Sequence, residues 1–203
     1  MSMIDTVVFD LGNVLIPWDV RWLLRKVFAT ESEVETFIRE IDFFAWHAQQ
    51  DAGNLVEDGI ASLSTRFPHY EAAIRAVYDR WGETMGPTIL ESESVLRELK
   101  SKGIRCLALS NFSAELFYRS QPAFGFWDAF DGIVLSGEER VNKPDPRIYQ
   151  ALFDRYQIKP VQAVFIDDSL PNVLASRALG MAAVHFTGPE ILRGALREHG
   201  LPV

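Results

Sequence analysis

Apolar residues fall into two textures along this 203-residue chain. In the first, short runs rich in β-branched and aromatic residues recur with little polar interruption: Thr6 to Phe9, Ile104 to Leu109 and Ala163 to Ile166, each followed by a turn and a helix-like stretch. Gly132 to Leu135 and Ala182 to Phe186 add two more. Near-continuous apolar strands separated by helices predict a parallel sheet covered on both faces, so the expected fold is α/β with a Rossmann-like core. In the second texture, between Trp18 and about Gly86, strand-like runs vanish and helical spacing takes over, as in Val34, Phe37, Ile38, Ile41 and then Ala72, Ile74, Val77, Tyr78, Trp81. Inserted between the first strand and the helix carrying Val95, Leu96 and Leu99, this stretch predicts a small all-helical cap above the strand ends. Gly53-Asn54 marks a break within it and Gly86-Pro87 its return. The expected division is a core of residues 1–16 and 87–203 and a cap of residues 17–86.

The polar residues that end the strands carry the chemical signal. The first run ends in Asp10, the second in Ser110 and Asn111, the third in Asp167 and Asp168. In open α/β sheets ligands bind at the carboxyl ends of strands. A carboxylate at the end of a buried strand is costly unless metal, cations or backbone amides satisfy it. A single Asp in that position is commonly a turn or cap residue. The coincidence of polar strand ends is what makes Asp10 a candidate for chemistry.

Composition narrows the partners. A formal charge of −8 without a Lys/Arg cluster argues against nucleic acid, which is held chiefly through clustered cations. An acidic protein still binds a small phosphate ester where a metal ion and a local cation reverse the field. Apolar stretches are broken well before the roughly 20 residues a membrane helix needs, so no membrane partner is expected. The N-terminus shows neither a basic opening region nor a small-residue cleavage site, and a cytoplasmic location is expected. The single cysteine, Cys106, lies in an apolar run and reads as a buried thiol; disulfides and cysteine zinc sites are excluded by count. A monomer or homodimer is expected.

Four segments, in order and spacing, resemble the motifs of the haloacid dehalogenase-like superfamily: Asp10 with its flanks, Leu107-Ala108-Leu109-Ser110-Asn111, Asn142-Lys143-Pro144-Asp145, and Phe165-Ile166-Asp167-Asp168-Ser169 followed by Asn172. The resemblance spans nearly the whole chain. The Asp-Leu-Gly-Asn-Val opening and the run from Lys143 to Tyr149 are most similar to a small-capped branch that includes glucose-1-phosphate phosphatases. The resemblance implies a phosphohydrolase that uses Mg²⁺ and acts on a small phosphorylated metabolite, with a sugar phosphate as one option. In-line displacement at phosphorus needs a nucleophile, charge neutralisation and a rigid grip on the anion. Asp10 is the expected nucleophile, forming an aspartyl-phosphate. Ser110, Lys143 and the amides of Leu11 and Asn111 would hold the phosphoryl group. Mg²⁺ would be held by Asp10, Asp168 and the carbonyl of Gly12. Asp167 is a further ligand, direct or through water, or the partner of Lys143. Asn172 stands where relatives often carry another Asp and would reach the metal through water.

One position departs from the pattern. Phosphatases of the superfamily commonly carry an Asp two residues after the nucleophile as general acid; here it is Gly12. General acid–base help is typically worth roughly 10²–10⁴-fold. A water beside Gly12 or a cap residue, His47 or Asp51, is the expected proton source. Trp18 and His47 are expected at the substrate, with Phe43, Phe44 and Trp46 as further aromatics of which one or two should face it. Arg119 and Arg147 are left outside the site. Two other readings stay open: a carbon–halogen hydrolase using the same Asp10, disfavoured by the acidic pair, and a phosphate-binding or regulatory protein of weak turnover, marked by Gly12.

Overall fold

The computed structural model describes residues 3–203. Strands β1 (Thr6–Phe9), β2 (Arg105–Ser110), β3 (Gly132–Leu135), β4 (Ala163–Asp167) and β5 (Ala182–His185) form one sheet in the order β3-β2-β1-β4-β5. Every neighbouring pair is parallel. Each strand matches an expected apolar run to within a residue. β1 is central and buried on both faces, which explains its uninterrupted apolar sequence. Val7 and Phe9 belong to one core layer and Val8 to the other.

Helices cover both layers. On one side pack α6 (Leu90–Ser101) and α11 (Pro189–Glu198), through Val95, Leu96, Leu99, Leu192 and Leu196. On the other, α9 (Pro146–Tyr156) and α10 (Leu170–Ala178) contribute Ile148, Tyr149, Leu152, Phe153 and Val173. Two shorter helices, α7 (Ala114–Ser120) and α8 (Ser136–Glu139), follow β2 and β3. Cys106 is fully buried, and burial pushes its thiol up to about 12, as its apolar run anticipates.

The chain between β1 and α6 is helical: α1 (Arg21–Leu24), α2 (Glu31–Glu40), α3 (Phe43–Asp51), α4 (Val56–Arg66) and α5 (Glu71–Asp79). This cap has its own core, which includes Val34, Phe37, Ile38 and Ile41 from α2 and Ile74, Val77 and Tyr78 from α5. Thr30 and Glu33 start α2 with a reciprocal capping box. On α5 the inward alanine is Ala73, whereas Ala72 is exposed: Ile74, Val77 and Tyr78 fix the buried face, and 73 rather than 72 falls on it. The chain enters and leaves the cap side by side, Asp19 N–H donating to Thr84 O at 2.9 Å and Gly86 N–H to Pro17 O at 2.8 Å. Gly53 takes a left-handed φ of 92°, and a side chain there would meet the Gly137 carbonyl at 2.8 Å, so cap and core backbones touch at this turn. No helix among the described residues is long and apolar enough to cross a membrane.

Candidate active site

Sheet register builds the reacting end. Phe9 lies level with Ala108 and Ile166, so Asp10 and Asp167 fall side by side at the carboxyl edge of the sheet, with Ser110 one residue further along its strand. Asp10 is nearly buried. Its Oδ1 accepts from the Leu11 amide at 2.7 Å and meets the Lys143 ammonium at 2.9 Å. No hydrogen bond among the described residues engages its Oδ2. Lys143 is buried and its three donors are all used: on Asp10, on Asp167 Oδ2 at 2.7 Å and on the Leu109 carbonyl at 2.9 Å. Asn111 fixes the Lys143 loop, and Tyr149 on the following helix ties α9 to α10. Asn111 donates to the Lys143 carbonyl at 3.0 Å and accepts its amide at 2.7 Å, and Tyr149 donates to the Asn172 carbonyl at 3.0 Å.

Asp167, fully buried, also accepts from the Ser169 amide at 2.8 Å and from Asn172 Nδ2 at 3.0 and 3.2 Å. Its oxygens are thereby committed to Lys143 and Asn172, and it stands behind the lysine. Asp168 is more open; its Oδ2 accepts from Asn13 Nδ2 at 3.1 Å. One carboxylate oxygen each from Asp10, Asp167 and Asp168 lies within 4.8 Å of the others. Three acids thus face one ammonium. Burial, reinforced by Asp167 and Asp168 and opposed by Lys143, pushes the Asp10 carboxyl up to about 7. Burial likewise raises Asp168. Burial works against the charge of Lys143, but Asp10 and Asp167 outweigh it and hold the ammonium above its ordinary range. The cluster therefore has an excess of negative charge and uncommitted hard oxygen donors on Asp10, on Asp168 and on the Gly12 carbonyl, which accepts no backbone hydrogen bond. That donor set suits Mg²⁺, which takes few protein carboxylates and keeps several waters. Beside it no hydrogen bond among the described residues engages the Ser110 hydroxyl or the Asn111 and Gly12 amides, a set of donors for an anion.

Above this end opens a cavity of about 650 Å³, walled on the cap side by Trp18, Phe44, His47, Asp51 and Trp81. His47 is buried, its ring stacked on Trp18 at 5.4 Å and on Phe43 at 5.6 Å. Its Nδ1 lies 3.2 Å from the Tyr78 hydroxyl and its Nε2 3.6 Å from Asp51 Oδ2. Asp51 Oδ1 accepts from the Ser113 amide at 3.0 Å, tying α3 to the start of α7, and burial raises its carboxyl. Phe43 and Trp46 point into the cap core, while Phe44 stays 48% exposed at the cavity.

The sequence profile of a hydrolase family, the haloacid dehalogenase-like hydrolases, matches residues 4–180. The chain belongs to this family. The haloacid dehalogenase-like hydrolase is similar to the sesquiterpene phosphatase astK of Aspergillus oryzae, at 27% identity over 180 residues that make up 89% of this chain and 88% of that protein. It spans less than half the length of other curated relatives that it matches. In fold it resembles a HAD-like family hydrolase from Porphyromonas gingivalis, with a TM-score of 0.75 and 23% identity over 97% of this chain and 98% of that one. It also resembles the HAD family enzyme bt-2542 of Bacteroides thetaiotaomicron, solved with magnesium and inorganic phosphate, with a TM-score of 0.68 and 21% identity over 89% and 93% of the two chains.

Every expected site residue of this hydrolase borders the cavity except Asp167, which sits beneath it behind Lys143. Three details differ from expectation. The Leu11 amide is engaged by Asp10 itself. Asn172 serves Asp167. Asn111 contributes a side chain as well as an amide, by clamping the Lys143 backbone. Asn13 was not anticipated at all. It adopts a left-handed φ of 54°, which Asn tolerates better than most residues. From there it donates to Asp168 and accepts the Trp18 amide at 3.0 Å. An Asn directly after a strand-end glycine is the signal that could have found it.

Proposed function

We propose that this hydrolase is a Mg²⁺-dependent phosphomonoesterase acting on a small phosphorylated metabolite through an aspartyl-phosphate on Asp10, with residues 17–86 as the substrate-covering cap and residues 1–16 and 87–203 as the catalytic core. The observation that carries the reading is the pairing, among the described residues, of an Asp10 oxygen engaged by no donor with an unpaired Ser110 hydroxyl, at the floor of a cavity whose one lysine or arginine is the buried Lys143. The relatedness to a sesquiterpene phosphatase, and a structural neighbour holding magnesium and phosphate, support it.

In this reading Asp10, Asp168 and the Gly12 carbonyl would hold Mg²⁺, which would supply positive charge to the phosphoryl oxygens. Ser110 and the amides of Asn111 and Gly12 orient the phosphoryl group, and the Leu11 amide joins them if Asp10 releases it. Asp10 attacks phosphorus, the ester oxygen leaves with the bonding electrons, and water later opens the acyl phosphate, returning the carboxylate and releasing phosphate. Lys143, positioned by Asp167, opposes the effect of burial and favours the ionised form of Asp10 that attacks. The leaving oxygen takes a proton from water in the open space beside Gly12, where a side chain would meet nothing within 4 Å. His47 and Asp51 already bind Tyr78 and Ser113, which makes them wall residues rather than ready donors. The likeness to glucose-1-phosphate phosphatases lies in the Asp-Leu-Gly-Asn-Val opening and the run from Lys143 to Tyr149, both in the core, and leaves the alcohol half to the cap.

Phosphate release from sugar phosphates, nucleotides and acyl phosphates, with and without Mg²⁺, tests the proposal. Turnover should need the ion, and aluminium fluoride should load wild-type protein but not Asp10→Asn. Chloride release from a haloacid without Mg²⁺ would replace it with the carbon–halogen reading.

A further inference from the structure

We infer that the alcohol half of the substrate is a hydrocarbon, so that the ester class is an apolar alkyl or cyclic alcohol phosphate and not a sugar phosphate. This rests on the phosphohydrolase reading and deepens it. In-line attack from Asp10 sends the leaving oxygen away from the sheet, toward the cap. The wall that receives it is built from Ile16, Trp18, Phe44, Trp81, Met85 and Phe112. Phe44, a large aromatic 48% exposed at the cavity, leaves apolar area uncovered that a hydrocarbon would bury.

The asparagines, His47 and Asp51 in that wall already have protein partners. Asn13 is held at both ends, by Asp168 and the Trp18 amide. Asn111 is held at both ends by Lys143. His47 faces Tyr78 through one nitrogen and Asp51 through the other, and the second Asp51 oxygen accepts from Ser113. The indole N–H groups of Trp18 and Trp81 have no partner among the described residues but are sealed from solvent. Hydroxyls free to bind, Ser110 and Ser169, belong to the strand-end loops that carry the reacting groups. A sugar entering the wall would leave hydroxyl groups without partners, a loss that hydrocarbon does not incur. A second phosphate or a carboxylate would meet Asp51 and no cation, since the donors of Lys143, the one cation among the described lining residues, are all engaged. The cavity, about 650 Å³, lies within the roughly 300–1,000 Å³ typical of small-molecule sites and exceeds what a phosphate group requires.

The test uses the full chain with Mg²⁺ and a homologous series of n-alkyl phosphates from ethyl to octyl, whose leaving groups are chemically alike. Full burial predicts that kcat/KM climbs about fourfold per methylene, the equivalent of ~0.8 kcal/mol, until the wall is covered. Octyl phosphate should exceed glucose-1-phosphate, glucose-6-phosphate and phosphocholine by at least about 100-fold, and Phe44→Ala should lower the octyl-to-ethyl ratio at least about fivefold. A rise below about 1.5-fold per methylene, or a sugar phosphate or phosphocholine preferred to octyl phosphate, overturns the inference. Calorimetric affinities of the same series for Asp10→Asn read the wall without turnover. If no ester is hydrolysed, the phosphohydrolase reading falls, and the slope of those affinities alone decides whether the wall selects hydrocarbon.

Discussion

Asp10 is asked to be a buried anion beside two other acids, and that demand sets both its use and its cost. Asp10→Asn is expected to lower phosphate release by at least about 1,000-fold, as the proposed nucleophilic role requires, with circular dichroism unchanged. Lys143→Met leaves Asp10 and Asp167 facing each other without a cation; loss of turnover should come with destabilisation by ~3–5 kcal/mol in urea unfolding. Gly12→Asp has open space and no positive φ to resist it. It should speed esters with poor leaving groups more than those with good ones, measured as the ratio of alkyl to 4-nitrophenyl phosphate turnover; an equal effect on both removes the missing-acid argument. At this scale the sequence shows which side chains end the strands, because strand-end position and type suffice. It does not show which donor each oxygen chooses: that Leu11 turns to Asp10, Asn172 to Asp167 and Asn13 to Asp168 depends on angstrom-level geometry that only the packed loops supply.

Among elements, the strands were legible because a sheet buried on both faces leaves a run of apolar residues that little else mimics. The cap helices were legible as helices but less so in their facing. Phe43, Phe44 and Trp46 all fit an apolar stripe, and only docking of α3 decides that Phe43 and Trp46 fill the cap core while Phe44 meets the cavity. Phe43→Ala should therefore cost ~3–5 kcal/mol of stability by leaving a core void. Its effect on the octyl-to-ethyl preference should be smaller than that of Phe44→Ala, so denaturation and substrate ratio together separate the two aromatics.

For the molecule as a whole, the acidic cluster couples folding to pH and to metal. The Asp10 carboxyl rises from an ordinary 3.8 to about 7 on folding, so the folded state keeps a proton that the unfolded chain releases. Stability should then fall as pH climbs from about 4 to about 7 and level off above, with Asp168 and Asp51 acting in the same direction. In calorimetric scans without metal, Asp10→Asn should be more stable than the parent at pH 8 and progressively less so toward pH 4. Under the proposed function Mg²⁺ would bind only the folded ionised cluster, and it should raise the parent's Tm more at pH 8 than at pH 5. The net charge of −8 gave no hint of this. What counts is the local imbalance of three acids against one ammonium, created when separated loops meet.

Asn13 holds Asp168 with its amide nitrogen and the Trp18 backbone with its oxygen. Asp168 and the Trp18 backbone are therefore set at a constant span, and under the proposed function the protein would work as a gauge of how far from phosphorus a molecule first becomes bulky. Two esters equally greasy but branched at different carbons would not be treated alike.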